Sequence, residues 1–193
     1  MSAQQTKHAS ALPRLREICA DLRLGNPARA LMREELEPLA YVRSLHSHGL
    51  HSDAIQVLAR LFPKREAVWW ACQCARQSVG DTELPESSMT AVAATEAWVA
   101  DPSEENRRPL FEAAQRAKLD TAAGCAAMAA FGSGGSMVPP EYDPVYPEDG
   151  MTAQLVAGSV LMAGVGVEQD PLESYRVFVE QGVLLLEQSS ESL

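Results

Sequence analysis

The stretch from Arg65 to Val79, REAVWWACQCARQSV, constrains the fold more than any other part of the chain. Its apolar residues follow one another at helical spacing: Val68, Trp69, Cys72 and Ala75. Trp70 and Cys74 widen this stripe until most of the helix circumference is apolar, so the helix must be covered on more than one side. Because two adjacent tryptophans bury a large surface, we expect this helix at a packing centre. We also expect Trp69, Trp70 and Trp98 to be at least mostly buried.

The rest of the chain repeats this helical periodicity in short segments separated by glycine and proline. The segments are 12–25, 26–38, 39–48, 50–62, 65–79, 85–100, 102–117, 121–131, 151–165 and 171–187. The pattern predicts an all-α, compact array of about eight to ten helices with α-hairpin or HEAT-like packing. Pro109 is expected to kink or split the helix that contains it, because proline removes an amide donor.

We expect a single α-helical domain over residues 12–187, with sub-halves 12–80 and 81–187 as the alternative division. Residues 1–11 are predicted to be disordered and residues 188–193 to form a polar tail. At 193 residues and 46% hydrophobic composition, the chain is long enough to bury one good core or two small ones.

The charge is distributed unevenly along the chain. Residues 1–80 carry 11 basic and 7 acidic side chains, a net charge of +4, whereas residues 81–193 carry 5 and 19, a net charge of −14. This difference indicates either ordinary solvated faces or an acidic face that engages a basic protein partner. Nucleic acid is excluded as the expected partner, because affinity for phosphates comes from clustered Lys and Arg.

No segment predicts export or membrane insertion. The polar start of the chain does not resemble a signal peptide, and the longest apolar run, 155–167, falls short of the roughly 20 residues that span a bilayer. We therefore expect a cytoplasmic protein without a membrane span. Its four cysteines are expected to be reduced and packed as small hydrophobes: Cys19, Cys72, Cys74 and Cys125.

Three patterns suggest chemistry, and each has a simpler interpretation. His46, His48 and His51 form H-x-H-x-x-H, but helical metal ligands normally stand three or four residues apart, so we expect an exposed corner between helices. The run Gly132–Ser136 lacks the lysine of a phosphate-binding loop and follows a helix, which favours a helix end and a tight turn. Acidic side chains in the same loop do not match an EF-hand and favour solvated charge: Glu141, Asp143, Glu148 and Asp149. We expect no catalytic residue, cofactor or metal.

Residues 132–150, GSGGSMVPPEYDPVYPEDG, are too rich in Gly and Pro for a helix and predict a long loop. Its apolar residues indicate that the loop folds back across the Ala-rich helix 121–131. They are predicted to form one wall of a partner-binding surface: Met137, Tyr142, Val145 and Tyr146. The alternative is that the loop only covers the core.

Two stretches carry a resemblance: WVADPSEENRR at Trp98–Arg108 and AAFGSGGSMVPP at Ala129–Pro140. Over about residues 60–167 the chain resembles an uncharacterised family of bacterial helical proteins, a domain of unknown function. Members occur mostly in Gram-negative bacteria, some near secretion-system gene clusters, and no catalytic residue is assigned. The resemblance implies a compact helical accessory protein with a tie to secretion.

The leading functional hypothesis is a non-enzymatic cytosolic adaptor or chaperone-like protein that binds a protein partner. It rests on strong helical packing signals without a catalytic constellation. Two alternatives stay open: an enzyme whose site is assembled from distant residues, and a structural homodimer.

Overall fold

The computed structural model describes residues 15–33, 35–78, 83–166 and 170–191, and all regular structure within them is helical. The helices in chain order are α1 Leu15–Cys19, α2 Asn26–Leu31, α3 Pro38–Ser47, α4 His51–Leu61, α5 Lys64–Gln77, α6 Glu86–Ala100, α7 Glu104–Arg107, α8 Leu110–Ala117, α9 Ala122–Phe131, α10 Met151–Val165 and α11 Pro171–Glu191. The predicted all-α class is therefore confirmed. The segment 1–11, predicted to be disordered, lies outside the described residues.

Helix boundaries follow local sequence signals. Gly49 ends the α3–α4 turn with φ +72°, a conformation that glycine adopts without steric cost. Pro109 separates α7 from α8, as its missing amide predicts. At the other end of the chain, α11 continues to Glu191 and includes residues that the sequence assigns to a polar tail. Ser189 Oγ donates to the carbonyl of Leu185 within that last stretch.

Helix α9 lies at the centre of the fold, and all ten of its residues are buried. It packs against α5, α6, α8 and α10. Its alanines and Gly124 keep the helix narrow, so neighbouring backbones come close. A Cβ atom at Gly124 would lie 1.9 Å from the carbonyl oxygen of Lys118, which leaves no room for any side chain.

Helix α5 forms the second half of the core and contacts α6, α9 and α10. Trp70 is fully buried, and its Nε1 donates to the carbonyl oxygen of Phe178 on α11 at 3.2 Å. Gly182 lets α11 approach this indole, because a Cβ there would lie 2.9 Å from Trp70 Cε2. Trp98 is also buried, whereas Trp69 is partly exposed at the edge of the core. Trp70, rather than Trp69, is therefore the indole that α11 covers.

The described residues contain no helix that is both long and apolar enough to cross a bilayer.

The different burial of the adjacent tryptophans predicts different costs of substitution. Trp70→Ala should lower the free energy of unfolding by about 3–5 kcal/mol, because it opens a cavity and removes the hydrogen bond to the carbonyl of Phe178. Trp69→Ala is the matched control and should cost clearly less, since part of its ring already faces solvent. Urea denaturation of both variants measures the difference. Equal losses would contradict the placement of Trp70 as the covered indole.

Candidate functional site

A buried arginine joins the two sequence stretches that carry the resemblance. Arg107, at the end of α7, is 3% exposed. Its guanidinium donates to the carbonyl oxygens of Phe131 at 2.6 Å and Ser136 at 3.0 Å, and also pairs with the carboxylate of Glu104. It lies 5.0 Å from the centre of the Phe131 ring, within cation–π range. The end of α9 and the following loop are thereby tied to α7.

The sequence around Arg107 explains why its side chain is available for these contacts. Ser103 caps α7, accepting a hydrogen bond from the amide of Asn106 at 3.3 Å, and this fixes the single helical turn that carries Glu104 and Arg107. Arg107 is also in register with apolar positions of the next helix, Leu110, Ala114 and Ala117. A cation on an apolar stripe is the signal that could have identified it from sequence.

A second arginine continues the same clamp. Arg108 donates to the carbonyl oxygen of Val138 at 2.7 Å and to Glu104 at 3.1 Å. Hydrogen bonds from Arg107, with a further contribution from Arg108, hold the pKa of Glu104 below its ordinary value. One carboxylate therefore orients two guanidinium groups toward loop carbonyls. We call Glu104, Arg107 and Arg108 the arginine clamp.

The Gly-rich start of the loop is shaped by this clamp. Gly135 has φ +66°, and a Cβ there would lie 2.7 Å from Arg107 Nη2 and from Glu104 Oε1. Lys64 Nζ donates to the carbonyl of Ser133 at 2.7 Å, and Thr152 Oγ1 donates to that of Gly132 at 3.1 Å. In the run Gly132–Ser136 the carbonyls of Ser133 and Ser136 thus accept hydrogen bonds from cationic side chains. A phosphate-binding turn instead offers backbone amides to the anion.

The rest of the loop closes on itself. The amide of Met137 donates to the carbonyl of Val145 at 2.7 Å, and the amide of Val145 donates to Ser136 Oγ at 3.3 Å. At its far end the amide of Tyr142 donates to the carbonyl of Pro139 at 3.1 Å, which forms a turn over residues 139–142. These bonds place residues 137–145 in a defined conformation above the clamp.

The four predicted partner-binding residues divide into two groups. Met137 is partly buried and packs against the core. Tyr142, Val145 and Tyr146 are 65%, 54% and 68% exposed. Of these four residues, Met137 is the one that packs against the core. We call Tyr142, Val145 and Tyr146 the tip surface.

The acidic residues of the loop are exposed and lie within three residues of the tip surface in sequence: Glu141, Asp143, Glu148 and Asp149. Among the described residues, none of these four carboxylates forms an ion pair. The described part of the chain also contains no group of three His, Cys, Asp or Glu side chains that could hold a metal ion. The loop therefore presents apolar and anionic groups side by side.

A second surface lies between α3 and α11, where a groove of about 430 Å³ is lined by Arg43, His46, Val179, Glu180, Val183, Leu184 and Glu187. Two polar contacts cross from α3 to α11: the ion pair of Arg43 with Glu187, and the contact of His46 Nε2 with Glu180 Oε1 at 3.4 Å. Sequence reasoning missed this groove, because α11 lies more than 120 residues after α3 and no local pattern links them.

The three histidines of the H-x-H-x-x-H pattern differ in their exposure to solvent. His46 and His51 are partly buried, and their ring centres are 5.0 Å apart. The Nδ1 atom of each is buried without a hydrogen-bond partner in the structure. His48 is exposed, with Nδ1 2.8 Å from the carbonyl oxygen of Ser44. The expected exposed corner is correct for His48 but wrong for the other two, because α11 covers them.

The four cysteines are buried, and burial raises the pKa of each thiol, that of Cys19 to about 11. Thiols in this state are poor nucleophiles, because the thiolate is the reactive form. The cysteines contribute to packing.

The partial burial of His51 beside His46 predicts that the free energy of unfolding depends on pH. Burial, then the His46 ring and Arg176, lower the pKa of His51, while Glu180 and Glu173 oppose them. The folded state therefore disfavours a proton that the unfolded chain accepts near pH 6.5. The contribution of His51 to the free energy of unfolding is complete above that pH. It falls as the pH drops toward the lower pKa of His51 in the folded state. Urea denaturation between pH 7.5 and 5.5 should show this fall, with a slope below about 1.4 kcal/mol per pH unit.

The variant His51→Gln should lose this slope, whereas the exposed-histidine control His48→Gln should keep it. If His51→Gln and wild type show the same pH dependence over this range, His51 does not carry the effect.

Comparison with known protein families identifies a match over most of the chain. The sequence profile of a family of unknown function, DUF6931, matches residues 41–186, which include the arginine clamp, the loop and the α3–α11 groove. No curated protein sequence and no solved structure matches the chain. Since the matched region covers well over half of the sequence, the chain belongs to the family of unknown function DUF6931.

Proposed function

We propose that this protein is a non-enzymatic adaptor that binds a protein partner through the tip surface. One observation carries the proposal: Tyr142, Val145 and Tyr146 are exposed on a loop whose base is fixed by the arginine clamp. Single exposed apolar residues are common on protein surfaces, but a group of them close together is typical of an interaction site.

The clamp lowers the cost of binding. A loop that is already ordered loses little conformational entropy when a partner docks. Four prolines further restrict the backbone: Pro139, Pro140, Pro144 and Pro147. Tyrosine suits such a surface, because it offers a large rigid ring and a hydroxyl and is enriched where interfaces carry most of their binding energy.

A second candidate is an enzyme that uses the α3–α11 groove. The contact between His46 and Glu180 at 3.4 Å favours it, since an imidazole beside a carboxylate is a common general acid–base arrangement. If this candidate is correct, substituting His46 abolishes an activity and leaves partner capture intact. The adaptor is preferred because the tip surface has no packing role that explains its exposed rings.

A finer proposal concerns where the adaptor works. We propose a cytoplasmic, chaperone-like protein that is accessory to a bacterial secretion system, and this rests on the resemblance alone. The identity of the captured partner tests it: a secretion-system component supports the role, and a partner unrelated to secretion contradicts it.

Affinity capture from the native host, followed by mass spectrometry, tests the adaptor directly. The tip variant Tyr142→Ser/Tyr146→Ser should lose the specific partners, because it removes the two rings. The matched control Met162→Ser/Leu172→Ser alters two apolar side chains that are 45% and 60% exposed on α10 and α11, and it should retain them. The tip variant should keep its free energy of unfolding within about 0.5 kcal/mol, as exposed sites usually do.

Two results would contradict the adaptor proposal. One is capture of the same partners by the tip variant and by wild type. The other is a large loss of stability in the tip variant with capture retained by the folded fraction, which would make the loop a cover for the core.

A further inference from the structure

We propose that the partner segment bound by the tip surface is basic, with Arg or Lys side chains that stack on Tyr142 and Tyr146 while their charges meet the neighbouring carboxylates. This inference rests on the proposed adaptor function and names the chemistry of its partner. It commits to a protein segment that combines cationic and apolar side chains.

The charge around the tip surface is uncompensated. Residues 132–150 contain four acidic side chains and no Lys, Arg or His. Elsewhere, several surface carboxylates are paired with arginines, as in Arg76–Glu96, Arg116–Glu112 and Arg176–Glu173. Within the described residues the four loop carboxylates have no such partner, so a cation from another molecule would neutralise them.

The cations at the base of the loop are already engaged, including Arg60, which lies against Gly150 and pairs with Asp21 at 3.4 Å. Arg107 and Arg108 donate to Glu104 and to the carbonyls of Phe131, Ser136 and Val138, and Lys64 donates to the carbonyl of Ser133. They are therefore oriented toward the backbone of the loop's base, and the tip retains an anionic surface.

Exposed tyrosine rings fit a cationic partner. The face of an aromatic ring carries partial negative charge and attracts guanidinium and ammonium groups. Val145, between the two tyrosines in sequence and 54% exposed, supplies an apolar contact for the stem of the same side chain. Arginine suits the site best, because its planar group stacks on a ring and still donates to a carboxylate.

Other occupants fit less well. A second copy of this chain docked tip to tip would bring eight unpaired carboxylates together, and nucleic acid or an acidic segment would meet the same repulsion. A purely apolar segment would leave the carboxylates unpaired at the rim. Complementary charge selects the basic segment.

Defined peptides test the proposal without a known partner. The probes are acetyl-Arg-Leu-Arg-Leu-Arg-amide and its glutamate counterpart, titrated to 10 mM while the tyrosine ring resonances are followed by NMR. Tyr41 and Tyr175, both buried, serve as internal references. The arginine peptide should shift Tyr142 and Tyr146 in a saturable manner, and the glutamate peptide should leave all four rings unchanged.

Two comparisons separate specific recognition from general charge attraction. Glu141→Gln/Asp143→Asn should weaken arginine-peptide binding at least fivefold, whereas the control Glu83→Gln/Glu86→Gln, at the start of α6, removes equal charge and should leave it within twofold. Tyr142→Leu/Tyr146→Leu, followed through the Val145 methyl signals, should also weaken binding, while the Phe equivalents should retain it. Raising NaCl from 50 to 500 mM should weaken binding in wild type, because added salt shortens the distance over which opposite charges attract each other.

The inference is overturned if the glutamate peptide binds as tightly as the arginine peptide, or if the arginine peptide causes no shift at 10 mM. It is also overturned if Glu141→Gln/Asp143→Asn and the control Glu83→Gln/Glu86→Gln bind the arginine peptide equally well. Partner capture by these variants shows whether only the basic partner segment is wrong or the adaptor function as well. If partner capture needs Tyr142 and Tyr146 but is unchanged in Glu141→Gln/Asp143→Asn, the surface binds a partner that is not basic. If capture does not need the tyrosines, the adaptor itself is wrong.

Discussion

The loop between α9 and α10 depends on one buried cation. Arg107 satisfies two carbonyls, those of Phe131 and Ser136, that lie on either side of the Gly-rich turn, and it is itself neutralised by Glu104. A buried guanidinium without such partners would be strongly unfavourable, and a buried carbonyl that loses its donor costs about 1–3 kcal/mol. The clamp and the turn are therefore stable only together, and the turn sets where the exposed tyrosines begin.

The core supplies the rigid side of this arrangement. Phe131 ends the fully buried helix α9 and contacts both the Arg107 guanidinium and the ring of Phe111, whose centre is 5.2 Å away. Because α9 is almost entirely small residues packed against four helices, its end has little freedom to shift. On the opposite part of the fold α11 is held by Trp70 and by polar contacts to α3. The protein thus combines a tightly packed core with two sets of polar contacts, the arginine clamp and the contacts between α3 and α11. The arginine clamp supports the loop that carries the tip surface.

The helical class was predictable because its signals are local. The apolar circumference of α5 required cover on more than one side, and the break at Pro109 follows from one missing amide. The clamp was not predicted, because Arg107 bonds to carbonyls 24 and 29 residues further along the chain, although its place on an apolar stripe is a usable signal. The burial of His46 and His51 depends on α11, which no nearby pattern reveals. Tyr142 and Tyr146 were predicted to be interface residues from their residue type, but their exposure depends on hydrogen bonds within the loop that the sequence does not reveal.

Amide hydrogen exchange at Met137 tests most directly whether the clamp holds the loop. Its amide donates to Val145 at 2.7 Å, so the account predicts slow exchange in wild type. In Arg107→Met that protection should be lost, while the amides of α9 stay protected and the control Arg116→Met behaves as wild type. Exchange of Met137 at the rate of an unstructured peptide in wild type, or equal protection in Arg107→Met, would contradict the claim that the arginine clamp orders the loop that carries the tip surface.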